Sequence, residues 1–439
     1  MAAERSVLMR ADAGLGIGYG HVSRCLALAH EFTARGAEVT IALRSADAAL
    51  RAKAAAAGAT VVDLGQAPAA EVAGGAVWSA ESQAADVAAV RAAAGDAFHA
   101  VVVDHYRLDA QWERPWRASG ARVVVIDDLA NRTHAADVLV DQNWYGPHTH
   151  ARYEALVEPQ TQLLLGPRYA VLHPDYRAAR AERAPVAVPP QHVLVAFGAT
   201  DVTGQSLLAV EALAAWPQVR VDVVVGTEQA VTPQLEAAVE LHPNATLHVA
   251  LPTLVPLLAQ ADLALGAGGT GTWERLCLRV PTLVTTVSEN QAGVTRAFAE
   301  AGIVRWLGNA DAVDATTYRD ALATAMAGDV PAMPDIVDGY GAARVALAAM
   351  GAELPALSVR DVHDADVAAV TTAGGAGIVD DAGPQLWNER AQRFLDRHRL
   401  REHLTLIESD GVPVGVVTHS AEPRIEVDPF VDPAQAVLA

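Results

Sequence analysis

Two short runs, Ala100-Val101-Val102-Val103 and Val123-Val124-Val125-Ile126, are apolar at every position. A strand of that kind needs cover on both faces, which a parallel sheet flanked by helices supplies. Around these runs, from residue 5 to about 140, short apolar segments alternate with longer helical ones. The pattern predicts strands at 5–10, 37–43, 59–63, 99–104, 121–126 and 137–140, with helices at 21–35, 45–57, 80–95 and 109–118. A second series starts at 191–197, with strands at 220–225, 245–249, 262–265 and 282–286 and helices between and after them. The expected class is α/β, with two doubly wound Rossmann-like domains over 1–176 and 191–352. The basic, proline-rich stretch 177–190 reads as a linker between them. A small α+β unit follows over 356–439, with hairpin-like runs at 404–408 and 414–417 about a Ser409-Asp410-Gly411 turn. Two doubly wound domains facing each other form a cleft, and small ligands prefer such interfaces.

The 439-residue chain carries a formal net charge of −20. A field of that sign argues against nucleic acid and anionic membranes as partners, though local loops can still hold an anionic nucleotide. The two cysteines, Cys25 and Cys277, sit inside apolar helical patterns. Neither a disulfide framework nor a zinc-ligand spacing is expected, which fits a reducing compartment. No signal peptide and no long uncharged apolar run is apparent, so the expected location is the cytoplasm.

After the first predicted strand comes Arg10-Ala-Asp12-Ala-Gly14-Leu-Gly16-Ile-Gly18-Tyr-Gly20-His21-Val-Ser-Arg24. Four glycines at alternate positions let the backbone approach a ligand closely. The helix start behind them favours an anion. His21, where loop becomes helix, can take or give a proton near neutral pH. A tight turn with a surface histidine has the same local pattern. Further polar groups fall at strand ends: Asp104-His105-Tyr106 and Asp127-Asp128-Leu-Ala-Asn131-Arg132.

The second half carries Gly266-Ala-Gly268-Gly269-Thr270-Gly271-Thr272-Trp273-Glu274-Arg275, again a strand end running into a helix. This is a second candidate phosphate cradle. Glu274 can accept both hydroxyls of a ribose, or it can simply favour the helix dipole. Asn290 and Gln291 open another helix, where their amides suit sugar hydroxyls or a helix cap.

Two such domains resemble the GT-B arrangement of nucleotide-sugar glycosyltransferases. The motif set resembles the PseG family more narrowly, over roughly residues 5–350. It comprises Arg10-Ala-Asp12-Ala with Ile17-Gly-Tyr-Gly-His21-Val-Ser-Arg24, Val103-Asp104-His-Tyr106, Ile126-Asp-Asp-Leu-Ala-Asn131-Arg132, Asp141-Gln-Asn143, Leu165-Gly-Pro-Arg-Tyr169 and Gly266-Ala-Gly-Gly-Thr270 with Trp273-Glu274-Arg275. That family hydrolyses UDP-2,4-diacetamido-2,4,6-trideoxy-β-L-altropyranose in pseudaminic acid biosynthesis. The resemblance implies cleavage of the anomeric C–O bond by water, with inversion and with no metal or other cofactor. It places the catalytic base at His21. It places the sugar near Arg10, Asp12, Gly18, Gly20, Tyr106, Arg168, His173, Asn290 and Gln291, and UDP near Gly198, Gly268, Gly269, Thr270 and Glu274. Transfer to an acceptor other than water, and binding of a nucleotide sugar without turnover, are the alternatives.

The chain departs from the family pattern at three positions. Ala199 stands where a second glycine is common, Arg279 where glycine often follows Leu278, and His173 where arginine is frequent. Toward the end, Val359-Arg360, Asp364 to Asp366, Glu402-His403 and the hairpin from Glu408 to Gly415 resemble the first half of a GNAT acetyltransferase. The sequence reaches Ala439 where the acetyl-CoA loop should begin, so acetyl transfer is not expected.

Overall fold

The computed structural model describes residues 5–12, 19–44, 46–65 and 76–351, and the backbone of 357–361, 403–409 and 412–419. The chain divides into two compact units, Met1–Gly351 and Ala352–Ala439.

The first unit contains two parallel sheets. One has seven strands: β1 (Ser6–Ala11), β2 (Glu38–Leu43), β3 (Ala59–Asp63), β4 (Ala100–Asp104), β5 (Arg122–Ile126), β6 (Val138–Asp141) and β7 (Gln162–Leu165). Their order is β3-β2-β1-β4-β5-β6-β7, so the winding reverses between β1 and β4. The other sheet has six: β8 (His192–Ala196), β9 (Arg220–Val225), β10 (Ala245–Val249), β11 (Leu263–Ala267), β12 (Thr282–Thr286) and β13 (Arg305–Asn309). The order β10-β9-β8-β11-β12-β13 reverses between β8 and β11.

Side chains alternate along β1. Val7, Met9 and Ala11 enter a core shared with helix α1 (Gly20–Thr33), and Leu8 joins Val101, Val103, Trp112 and Trp116 on the other face. Burial on both faces is why these strands carry no polar alternation. The second sheet packs Val193, Val195, Val221, Val223, Leu263 and Leu265 against helices that include Leu213, Tyr318 and Leu322. The last helix of the unit, Gly341–Ala349, lies in the core of the first sheet through Ala342, Val345, Ala346 and Ala349. The chain thus returns from the second lobe to the first, a crossing that alternation does not announce.

Three elements go beyond the predicted set. β7 and β13 are short strands at the sheet edges, with little apolar contrast. Helix Pro174–Glu182 occupies the start of the stretch expected to be a linker at 177–190. Pro174 suits the first helical turn, and the His173 ring accepts the Asp175 N–H at 3.2 Å, so this basic segment has a defined helix start.

The second unit shows an antiparallel sheet of β14 (Leu357–Asp361), β15 (His403–Ser409) and β16 (Val412–His419). The predicted runs 404–408 and 414–417 fall within β15 and β16. Of the rest of the GNAT-like pattern, Val359 and Arg360 lie in β14 and His403 in β15, while Asp364 to Asp366 and Glu402 lie outside the described residues. Among the described residues no helix is long and apolar enough to cross a membrane.

Candidate active site

Ligands on open parallel sheets bind beyond the strand carboxyl ends, where the strand order reverses. In the first lobe that point lies between β1, which leads to Asp12, and β4, which ends at Asp104 and is followed by His105 and Tyr106. Residues 13–18, Gly18 among them, lie outside the described residues. Helix α1 opens at Gly20, so His21 stands in its first turn, 3% exposed.

His21 Nδ1 is 2.5 Å from Asp104 Oδ1. Arg24, one turn along the helix, donates to the same carboxylate through Nε and Nη2, each at 2.7 Å. Burial pushes the Asp104 carboxyl up, but the Arg24 guanidinium and the His21 imidazole outweigh it and leave it at about 2. Asp104 is then a carboxylate, so His21 Nδ1 holds a proton and donates it. Nε2 has no hydrogen-bond partner among the described residues. Asp104 thus fixes the orientation of the His21 ring.

Tyr106 packs edge-on against the His21 ring, with centroids 4.3 Å apart. Its hydroxyl donates to Asp128 Oδ2 at 3.3 Å, and Arg24 Nη1 donates to the same oxygen at 3.2 Å. Burial, together with the Asp128 charge, holds the Tyr106 phenol well above its ordinary range. Tyr106 is thus a neutral donor beside His21.

Three further residues of the expected sugar set make contacts within the protein. Arg10 is wholly buried behind Asp12. It binds Asp12 Oδ1 at 2.6 Å and Asp86 through Nε and Nη2 at 3.0 Å each, and donates to the Ala11 carbonyl. The alternation of β1 puts Arg10 on a covered face, so it braces Asp12 rather than reaching a ligand. Asp12 is 5% exposed and also accepts from the Arg44 N–H at 2.9 Å and from His105 Nε2 at 3.1 Å. His173 caps helix Pro174–Glu182 and packs edge-on against His30, centroids 4.3 Å apart. His30 lies nine residues beyond His21 in α1, roughly 13 Å along the axis. Arg168 is exposed in the turn Pro167–Tyr169, where its carbonyl accepts from Arg344 at 2.9 Å.

In the second lobe the strand ends are those of β8 and β11. Gly198, after β8, has φ +97°, and glycine takes that conformation without strain. Ala199 is not in the left-handed region, so its methyl group carries no backbone strain there. Arg279, by contrast, holds φ +53° just after helix Gly271–Cys277, a position that favours glycine. After β11, a side chain at Gly268 would lie 2.3 Å from Thr295 Oγ1, and one at Gly269 would lie 3.3 Å from Gln291 Nε2. Gln291 Oε1 accepts the Val287 N–H at 3.1 Å. Asn290 is exposed, and its Oδ1 accepts from Ser288 Oγ at 2.6 Å. Arg275 is buried behind the turn and donates to the Ala267 carbonyl at 2.6 Å. Burial pushes the Glu274 carboxyl up, against a hydroxyl contact from Tyr176.

The start of α1 meets the second-lobe turn. A Cβ on Gly20 would lie 3.4 Å from Thr270 Cγ2. Nearby, Trp144 of the first lobe stacks on Phe298 of the second, centroids 6.0 Å apart. His21, Gly20, Tyr106, Gly268, Gly269, Thr270 and Gln291 are therefore the expected residues brought to one region. The partners of His21 that the sequence reading left without a role are Asp104 and Arg24. Asp104 was signalled by its place at the end of a fully apolar strand, and Arg24 by standing three residues after His21 on a helix.

Two parallel α/β sheets with facing switch points, and a last helix returning to the first, make this a GT-B fold. Among solved structures, LpCGTa in complex with UDP has TM-score 0.54 at 14% identity, covering 89% of this chain and 99% of that one. Phytolacca americana UGT2, complexed with UDP-2fluoro-glucose and pterostilbene, has TM-score 0.53 at 12% identity, covering 90% and 100%. Arabidopsis thaliana UGT89C1 has TM-score 0.52 at 14% identity, covering 79% and 94%. At these identities the likeness is one of fold. The spore coat polysaccharide biosynthesis protein SpsG of Bacillus subtilis (strain 168) is 26% identical over 191 residues, 43% of this chain and 55% of that protein. The chain spans about half the length of this curated relative. No family model matches the chain.

Proposed function

We propose that this chain hydrolyses a UDP-sugar, with water as acceptor and His21 as general base, the activity that its resemblance to the PseG family implies. The observation that carries this reading is His21 bound through Nδ1 to Asp104 at the β1/β4 switch point, its Nε2 without a hydrogen-bond partner among the described residues. Water attacks the anomeric carbon and gives its proton to Nε2 as the new C–O bond forms. The bond from that carbon to the UDP oxygen breaks, and UDP leaves with the electron pair. Attack opposite the leaving group inverts the anomeric centre. The N–H groups of the Gly268–Thr270 turn, with Arg275 behind them, offset the charge on the departing diphosphate. Gly198 and Glu274 belong to the nucleotide side of the same lobe. The sugar lies toward Asp12, Gly20, Tyr106, Asn290 and Gln291.

The test is UDP release from UDP-2,4-diacetamido-2,4,6-trideoxy-β-L-altropyranose with no acceptor but water. The wild type releases UDP and the inverted free sugar, identified by NMR. His21→Ala lowers the rate by about 10²–10⁴-fold, and unchanged turnover would remove the base. UDP released only after an alcohol acceptor is added would instead mark a transferase. UDP binding in calorimetry, without turnover, would mark a binding protein.

A further inference from the structure

The two oxygens of Asp128 are in unlike states. Oδ2 accepts from Arg24 Nη1 and Tyr106 Oη. Oδ1 is buried and has no hydrogen-bond partner among the described residues. A buried carboxylate oxygen without a donor is costly, and native structures seldom leave one so. This oxygen also lies beside the reacting centre. Tyr106 touches the His21 ring with its edge and Asp128 with its hydroxyl, and Arg24 bonds both Asp104 and Asp128.

A phosphate oxygen has no hydrogen to give and would meet the carboxylate with like charge, so the diphosphate of a ligand is excluded from this spot. What remains is the part of the ligand nearest His21. We propose that Asp128 Oδ1 accepts a hydrogen bond from the sugar, from an N–H or O–H close to the carbon that reacts. This rests on the hydrolase reading of the same site. Asp128 selects sugars that present a donor there and rejects those that present an ether or a deoxy carbon.

The test measures binding rather than turnover, in a His21→Asn background. The Asn amide can still reach Asp104 and holds the sugar uncleaved. Ligands are UDP and UDP-2,4-diacetamido-2,4,6-trideoxy-β-L-altropyranose, followed by calorimetry. Asp128→Ala weakens the UDP-sugar roughly 10- to 100-fold, the usual worth of a hydrogen bond to a charged group, and leaves UDP unchanged. Asp128→Asn keeps one oxygen for Arg24 and Tyr106 and puts an NH2 where Oδ1 stood. An amide N–H on the sugar then meets another donor, and affinity falls as far as in the Ala variant. A hydroxyl can turn and accept, and most of the affinity returns. Equal UDP-sugar affinity in the Ala variant, or an equal loss for UDP, overturns the proposal, as does a UDP-sugar that binds no better than UDP. If His21-intact protein binds the sugar but releases no UDP into water, the hydrolase reading falls and the Asp128 comparison still stands.

Discussion

Gly20 and Thr270 face each other between the lobes, with only 3.4 Å between the threonine methyl and the Cβ that Gly20 lacks. Gly20 opens helix α1 after β1 and Thr270 follows β11, so each stands beyond a strand at a switch point. Gly20 does not adopt a positive φ, so a larger residue there is limited by Thr270 and not by its own backbone.

Gly20→Ala is therefore expected to fold and to keep its turnover within about threefold, since 3.4 Å is ordinary contact. Gly20→Val drives a branched side chain into Thr270 and displaces the second turn. A displacement of about 1 Å is enough to lower the rate roughly 10²-fold. The check is kcat/KM for UDP release from the UDP-sugar, alongside a melting temperature that stays close to wild type. Full activity in the Val variant would mean that the two turns do not shape the site.

Arg10 leads to a prediction about stability. Its guanidinium holds Asp12 and Asp86, and Asp86 is itself buried under Trp112 Nε1 at 2.9 Å. Arg10→Met removes the cation and leaves two carboxylates short of their partner in a dry interior. Breaking a buried pair in this way costs about 3–5 kcal/mol. Urea unfolding should show that loss. A fall confined to KM, with stability intact, would put Arg10 back at the ligand.

Two buried histidines give the fold opposite responses to pH. Burial pushes His105 down to about 4, against the pull of the Asp12 carboxylate. Between about 4 and the unfolded value near 6.5, the unfolded chain holds the extra proton, so stability falls as pH drops. His134 is also buried, which lowers it, but Asp127 and Glu113 outweigh that and raise it to about 9. Between about 6.5 and 9 the folded chain holds the extra proton, so stability falls as pH rises. Each window is worth on the order of 3 kcal/mol. The expected result is a maximum near pH 6.5 in urea unfolding. His105→Gln should flatten the acid side alone, and His134→Gln the alkaline side alone.

Most of the fold was legible because its core strands are buried on both faces and so carry runs such as Ala100–Val103. The elements that escaped are those where this contrast fails. β7 is four residues long, and β13 reads Arg305-Trp306-Leu307-Gly308-Asn309, half-buried at an edge. The return of helix Gly341–Ala349 to the first lobe is tertiary, and no local pattern encodes it. At the site, His21 and the glycine turns were visible as motifs. The partners of Arg10 and His173 were not legible, because a motif shows which residues recur, not which way a side chain points. Strand alternation turns Arg10 into a covered layer, and a proline at 174 makes His173 a helix cap. Asp128 was visible only as a polar strand end. Its unpartnered oxygen depends on where Arg24 and Tyr106 reach, which is geometry that spacing does not contain.

The pairing of His21 with Asp104 yields the sharpest kinetic prediction. Asp104→Asn keeps the shape of the side chain but replaces one oxygen with an NH2. That group can donate to His21 Nδ1, which moves the ring proton to Nε2 and leaves no lone pair facing the water. It also takes from Arg24 one of its two acceptors. The expected loss is about 10²–10⁴ in kcat, the scale seen when a base is locked in the wrong tautomer. UDP affinity should not change, because Asp104 bonds His21 in the first lobe and not the Gly268–Thr270 turn of the second. Melting temperature separates this loss from unfolding, and NMR of the imidazole nitrogens reads the tautomer directly. Wild-type kcat in a folded Asp104→Asn protein would show that the orientation of His21 has no part in the reaction, and the general-base reading would go with it.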